Sequence, residues 1–171
     1  EDLQVYPDVS GKQIRIKGKV TNTGEATEGS LSVKVENQKS GLVVSVLKQK
    51  VDFQSGENLV NLTCSMGDSM EMWNEFNPVL YKVDLEVNAG SVKTERSTKF
   101  GMREFSRNQS DLLLNGNKVF LRGTLECCIF PLTGRPPMEP EGWKKVFLTA
   151  REWGLNHLRF HSWCPPEAAF Q

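Results

Sequence analysis

Through the first hundred residues, apolar and polar side chains alternate with a period of two. Ile14, Ile16 and Val20 alternate with Arg15, Lys17 and Lys19, and Leu31, Val33 and Val35 alternate with Ser32 and Lys34. Leu42, Val44 and Val46 come next, then Val51 and Phe53. Val60, Leu62, Cys64 and Met66 follow, and then Tyr81, Val83, Leu85 and Val87. Alternation of this kind turns one side of each strand to a core and the other to water. Turn-forming clusters separate the runs, at Asn22-Thr23-Gly24, Asn37 to Gly41, Ser55-Gly56 and Asn88 to Ser91. Short strands with turns roughly every 8–12 residues predict an immunoglobulin-like β-sandwich, here over residues 1–101. Cys64 has no second cysteine in this half, so the sandwich has no disulfide staple.

The period changes after Phe100. Leu112 to Leu114 and Val119 to Leu121 flank Asn115-Gly116, a hairpin signal because both turn residues need positive φ. Val119 to Glu126 then reads as a strand, Thr133 to Pro140 as a loop, Glu141 to Trp153 as a helix, and Asn156 to Ser162 as a second strand. Pro140 suits the first helical turn, where a missing N–H costs nothing, and Glu139 and Glu141 complement the positive helix end. Trp143, Val146, Phe147, Ala150 and Trp153 are read as one apolar face, and Gly154 as the residue that closes the last turn. Strand, helix, strand predicts a parallel pair joined by a right-handed crossover. The fold class expected is mainly β: a sandwich followed, over residues 102–171, by a hairpin and the first β-α-β unit of an incomplete (β/α)8 barrel. A whole barrel needs about 250 residues, so the chain reads as a segment of a longer protein. Incomplete closure leaves open strand edges and an uncovered helix face at Trp143, Phe147 and Trp153, which predicts disorder or self-association of this part.

Composition narrows the function classes. Lys+Arg and Asp+Glu each number 21 in the 171 residues, a formal net charge of zero. That balance argues against nucleic acid, which needs a clustered basic excess, and against a polybasic membrane-surface device. No apolar run reaches the roughly 18–20 residues of a spanning helix. The first residues, Glu-Asp-Leu-Gln, carry neither the positive nor the apolar part of a signal peptide. The four cysteines form no CxxC, and His157 and His161 stand four apart in a strand rather than on a helix, so no metal and no cofactor is expected.

The second parallel strand carries the candidate chemistry. Leu158 and Phe160 occupy one face, and His157, Arg159 and His161 the other. Charged groups on a barrel strand are costly unless they lie at its open, C-terminal end, where active sites form. Glu126, Arg159, His161 and Trp163 would meet there as substrate-binding residues for a hydroxyl-rich ligand: Arg and His donate to sugar oxygens, Glu accepts, and Trp stacks on a ring face. A structural Glu126–Arg159 ion pair with His161 bonded in the core is the competing reading. Cys127, Cys128 and Cys164 lie near the same ends. A thiol nucleophile with His161 as base, a disulfide to Cys164, and small buried hydrophobes are the readings open for them.

Several strings taken together resemble glycoside hydrolase family 2. Trp73-Asn74-Glu75-Phe76-Asn77-Pro78-Val79-Leu80-Tyr81 is similar to the family's W-x-x-x-N-P-x-L-Y, and Phe100-Gly101-Met102-Arg103 to its F-G-x-R. Leu114 to Gly123 is similar to L-N-G-x-x-x-x-L-R-G, and Gly154 to Arg159 to G-x-N-x-x-R. These strings come in the family's order and cover nearly the whole chain.

The resemblance implies a parent enzyme that hydrolyses β-linked sugars, with galactosidase, mannosidase and glucuronidase members, and a carbohydrate as partner. It implies retention of configuration by two glutamates from later barrel strands, which are not in this chain, so the segment alone is expected to be inactive, with no catalytic residue of its own. Asn74-Glu75 lies in the sandwich and is not the acid/base pair. A periplasmic or secreted location is likewise implied only by the resemblance. The sequence departs from well-known members at Leu125-Glu126-Cys127-Cys128 and at Phe160-His161-Ser162-Trp163-Cys164-Pro165, which puts galactosidase specificity in question. A non-catalytic carbohydrate-binding or interaction sandwich is the alternative, and a thiol-dependent hydrolase the third reading.

Overall fold

Period-two alternation becomes two packed sheets. The computed structural model describes residues 3–171. Contacts divide the chain into one compact unit ending at Lys118 and a second running from Val119 to Gln171.

In the first unit, β1 (Gln4–Asp8), β2 (Gln13–Asn22) and β5 (Gly56–Ser65) form an antiparallel sheet in the order β1-β2-β5. The facing sheet has the order β4-β3-β6-β7, from β3 (Thr27–Asn37), β4 (Val43–Phe53), β6 (Tyr81–Ala89) and β7 (Val92–Phe100). Ile14, Ile16, Leu62 and Cys64 of one sheet close on Leu31, Val33, Val35, Val83 and Leu85 of the other, all buried. This is the sandwich that the alternation predicts. Two strands went unread: β1 contains Pro7 and lies at an edge, and β7 is polar along nearly its whole length. The two runs at Leu42–Val46 and Val51–Phe53 form one strand, β4, paired continuously with β3 apart from a register shift at Val35/Glu36.

The segment between β5 and β6 is fixed by polar bonds. The buried Tyr81 stacks on Phe100, and its hydroxyl accepts the Glu71 N–H at 2.7 Å and donates to the Glu71 carbonyl. That is the tyrosine corner of immunoglobulin-like domains. Asn37, 2% exposed, accepts from the Lys39 and Ser40 N–H groups and donates to Glu71 Oε1. Asn74 caps its own turn by accepting from the Phe76 and Asn77 N–H groups, so the Asn74-Glu75 pair is turn chemistry.

A small antiparallel sheet follows in the same unit: β8 (Phe105–Asn108), β9 (Asp111–Leu114) and β10 (Asn117–Lys118), with β9 in the middle. Asn115 and Gly116 have φ of 52° and 78°, the left-handed pair that the hairpin signal requires. Asn115 also ties the hairpin down. Its Oδ1 accepts the Glu104 N–H and its Nδ2 donates to the Trp73 carbonyl at 2.9 Å. Trp73 in turn packs on Gly101, where a Cβ would fall 2.9 Å from its side chain, while the Arg103 guanidinium lies over its ring. Motif strings far apart in sequence thus meet around one tryptophan.

In the second unit, β11 (Gly123–Glu126) and β12 (His157–Phe160) run parallel, joined by α1 (Pro140–Glu152). Trp143, 1% exposed, is the centre of its core: Phe130, Phe147, Phe160 and Trp163 all pack on the indole. Its Nε1–H donates to the Pro137 carbonyl at 2.8 Å. The expectation of an uncovered helix face is corrected here, because these rings cover Trp143 from within the unit. Trp153 is uncovered as expected, at 81% exposed, but at the helix C-cap it does not share the face that buries Trp143. Ten residues from Trp143 at 100° each brings it roughly 80° off the buried face. Among the described residues no helix is long and apolar enough to cross a membrane.

Candidate functional site

The parallel pair owes its register to polar groups at its N-terminal end. The Asn156 Oδ1 accepts the Arg122 N–H at 2.8 Å, and its Nδ2 donates to the Phe120 carbonyl at 3.1 Å. The Asn156 N–H donates to the Arg122 carbonyl, and Arg122 Nε donates to the Gly154 carbonyl at 2.8 Å. Gly154 has φ of 73° and closes α1, as its position after the helix predicts. Gly123 has no room for a side chain, since a Cβ would fall 2.8 Å from the His157 ring. Arg122, Gly123, Gly154 and Asn156 are therefore the residues that align the strands. The motif strings contained them, but nothing in composition or periodicity gives them this role.

Register decides which candidate side chains share a face. Thr124 lies beside Leu158, Leu125 beside Arg159 and Glu126 beside Phe160. Phe160 packs on Trp143 of the helix. Glu126 therefore starts from the helix-facing side, and Arg159 projects from the opposite side with Leu125 and His157. The Glu126–Arg159 ion pair does not form, because the two side chains leave opposite faces. The Arg159 guanidinium is exposed and has no hydrogen bond or ion pair among the described residues.

At the C-terminal end, the Glu126 carbonyl accepts the His161 N–H at 2.9 Å and the Trp163 Nε1–H at 3.1 Å. The Glu126 carboxylate accepts the Cys128 N–H. Three of the four candidate residues are thus joined at one strand end. His161 is exposed, with Nδ1 at 2.9 Å from the Ser162 hydroxyl. Trp163 is half-buried and packs on Trp143 and Phe160, so its ring belongs to the aromatic core. Cys128 and Ser162 turn away from the two strand ends with φ of 58° and 64°. Left-handed backbone at residues other than glycine is uncommon and concentrates at functional sites.

All four cysteines are free thiols, so no bridge to Cys164 forms. Cys64 lies in the sandwich core, and burial pushes its thiol pKa up, as for an inert small hydrophobe. Cys127, Cys128 and Cys164 are exposed instead, so the reading of them as small buried hydrophobes does not hold. The His161 side chain bonds Ser162 rather than a thiol, which leaves the thiol-nucleophile reading without its base.

An immunoglobulin-like sandwich leading to a parallel β-α-β unit, with polar side chains at the strands' C-terminal end, defines a modular protein of a β-sandwich and an α/β segment. The family model for glycosyl hydrolases family 2 matches residues 1–103, and the chain belongs to that family. The β-galactosidase large subunit of Latilactobacillus sakei is 28% identical over 148 residues, covering 84% of this chain and 22% of that protein. A family 2 member from Bacteroides cellulosilyticus superimposes with a TM-score of 0.85 at 17% identity, over 98% of this chain and 22% of that one. The β-glucuronidase 2 of Bacteroides uniformis, covalently bound to cyclophellitol-6-carboxylate aziridine, superimposes with a TM-score of 0.76. It is 22% identical, with 98% of this chain and 20% of that one covered. The chain thus spans under a quarter of the length of these relatives.

Proposed function

We propose that this chain is the sandwich and opening barrel segment of a retaining glycoside hydrolase for β-linked sugars of the galactoside, mannoside or glucuronide kind. The observation that carries the reading is the parallel β11–β12 pair, with Arg159 free on the face away from α1. In a closed barrel that face looks inward, and the active site lies at the end where Glu126, His161 and Trp163 cluster. The names of the relatives, β-galactosidase and β-glucuronidase, support the substrate class.

Arg159 and His161 would donate hydrogen bonds to sugar hydroxyls there. Glu126 and Trp163 would act through the turn they hold, fixing the backbone on which His161 sits. Retaining hydrolysis needs two carboxyl groups about 5–5.5 Å apart. One attacks the anomeric carbon while the other protonates the leaving oxygen, and water then releases the sugar by the reverse roles. Both groups would come from outside residues 1–171, so the chain alone has binding groups without a nucleophile.

A panel of chromogenic α- and β-glycosides, offered to the parent protein and to the 171-residue chain, tests this. The parent is expected to hydrolyse at least one β-linked substrate with retention and the chain none. Hydrolysis confined to α-glycosides, inversion, or activity in the chain alone would refute the reading.

A further inference from the structure

The outer face of the three-stranded sheet carries groups that neither the core nor the barrel uses. Register places Tyr6 beside Arg15 and Thr63 in one row, and Gln4 beside Lys17 and Asn61 in the next. All six side chains point to solvent, opposite Val5, Ile14, Ile16, Leu62 and Cys64 of the core. Tyr6 is 42% exposed, with Lys17 Nζ 5.3 Å from the centre of its ring. Its hydroxyl donates to Gln4 Oε1 at 2.6 Å, which leaves the Gln4 amide N–H groups available. A cavity of about 340 Å³ opens beside them, lined in part by Gln4, Lys17 and Asn61. The Arg15 guanidinium makes no hydrogen bond or close ion pair among the described residues, although its charge acts on the Asp8 carboxylate of the next row. One row further on, Asp8 is occupied by the Gly11 N–H, the Ser10 hydroxyl and the Gln13 amide. Neither of the two central rows contains a carboxylate.

We propose that this face is a docking surface for an extended uronate-bearing polysaccharide. Its chemistry selects that partner in two ways. Arg15 and Lys17 supply charge at one cation per row, with rows roughly 6.5–7 Å apart along the strand; a guanidinium binds a carboxylate bidentately. On either side of the cations, on β1 and β5, stand the groups that read hydroxyls and ring faces: amides at Gln4 and Asn61, a hydroxyl at Thr63 and an aromatic edge at Tyr6. Sparse charge among many neutral donors fits a polymer with hydroxyls and one carboxylate per ring. It does not fit the dense charge of nucleic acid or of a heavily sulfated chain. A surface of this kind would hold the protein on its polymer while the barrel works elsewhere, and it does not depend on which sugar the barrel cleaves.

The test is calorimetric titration of the 171-residue chain with an oligogalacturonate hexamer, a neutral galacto-oligosaccharide of equal length and a heparin-derived hexamer. Saturable binding of the oligogalacturonate is expected. The neutral and sulfated oligomers should each bind at least tenfold more weakly. The Arg15→Ala/Lys17→Ala variant, and separately Tyr6→Ala, should weaken binding at least tenfold with an unchanged far-ultraviolet circular dichroism spectrum. Amide shift changes in a parallel NMR titration should fall on β1, β2 and β5. No saturable binding, equal binding of the neutral or sulfated oligomer, or binding that survives the double substitution would overturn the proposal. None of these results bears on glycoside hydrolysis by the parent, so the two readings fail separately.

Discussion

Replacing Asn156 by alanine should loosen the parallel pair while the sandwich stays intact. The side chain accepts from the Arg122 N–H at 2.8 Å and donates to the Phe120 carbonyl at 3.1 Å, both across the strands. Each such bond contributes about 0.5–1.5 kcal/mol net, so losing both costs on the order of 2 kcal/mol at this half-buried site. That corresponds to roughly a 30-fold rise in local opening. Native-state amide hydrogen exchange reads it directly. Protection of the β11 and β12 amides, and of the His161 amide bonded to the Glu126 carbonyl, should fall by that factor. Amides of Ile16, Val33 and Val83 in the sandwich core should not change. A loss below threefold would mean that the strands align without Asn156. A loss shared equally by the sandwich would mean that the residue acts on global stability. Either result would refute the argument that this asparagine sets the register that carries Arg159.

Further outcomes follow from the packing and the charges. Trp143→Ala removes the ring on which four aromatic side chains pack; at about 3–5 kcal/mol it should unfold Val119–Gln171 and abolish that unit's near-ultraviolet circular dichroism. The exposed Trp153→Ala should shift stability by no more than about 0.5 kcal/mol. Tyr81→Phe leaves the Glu71 N–H without its partner and should lower sandwich stability by about 1–2 kcal/mol, read as a reduced urea midpoint at constant slope. Hydrogen bonds from Gln13, Gly11 and Ser10 hold the Asp8 pKa below its usual value. For Asp84, burial pushes up, and the bonds from Lys82 and Ser97 outweigh it to give a lowered value. Carboxylates with lowered folded-state pKa values stabilise the fold above their unfolded values. The melting temperature should therefore fall as pH drops from about 4 through the lower folded-state values, and Asp8→Asn should flatten that dependence.

Sequence pattern reached the sandwich because half-buried strands write their burial as alternation: Ile14 and Ile16 against Arg15 and Lys17. It missed β7, whose Lys93 to Lys99 stretch is held by pairing with β6 rather than by apolar burial of its own. The helix was legible from Pro140 and the spacing of Trp143, Val146 and Phe147, but Trp153, at the C-cap, falls well round the helix from the buried face. At the candidate site, the faces of Arg159 and Phe160 were readable from strand periodicity. The face of Glu126 was not, because it depends on which residue of β11 lies opposite Phe160, and Asn156 and Arg122 settle that. The sugar-pocket role read for Trp163 meets an indole that packs on Trp143, a tertiary contact that no local spacing encodes.

If the β11–α1–β12 unit opens a barrel, as proposed, the catalytic carboxylates come from other strands of the parent protein. Incubating the parent protein with a 2-deoxy-2-fluoro β-glycoside, and locating the covalent adduct by peptide mass spectrometry, tests that most directly. The predicted result is a single labelled glutamate outside residues 1–171, with labelling slowed by Arg159→Ala. A label on Glu126, Cys127, Cys128 or any other residue of this chain would contradict it.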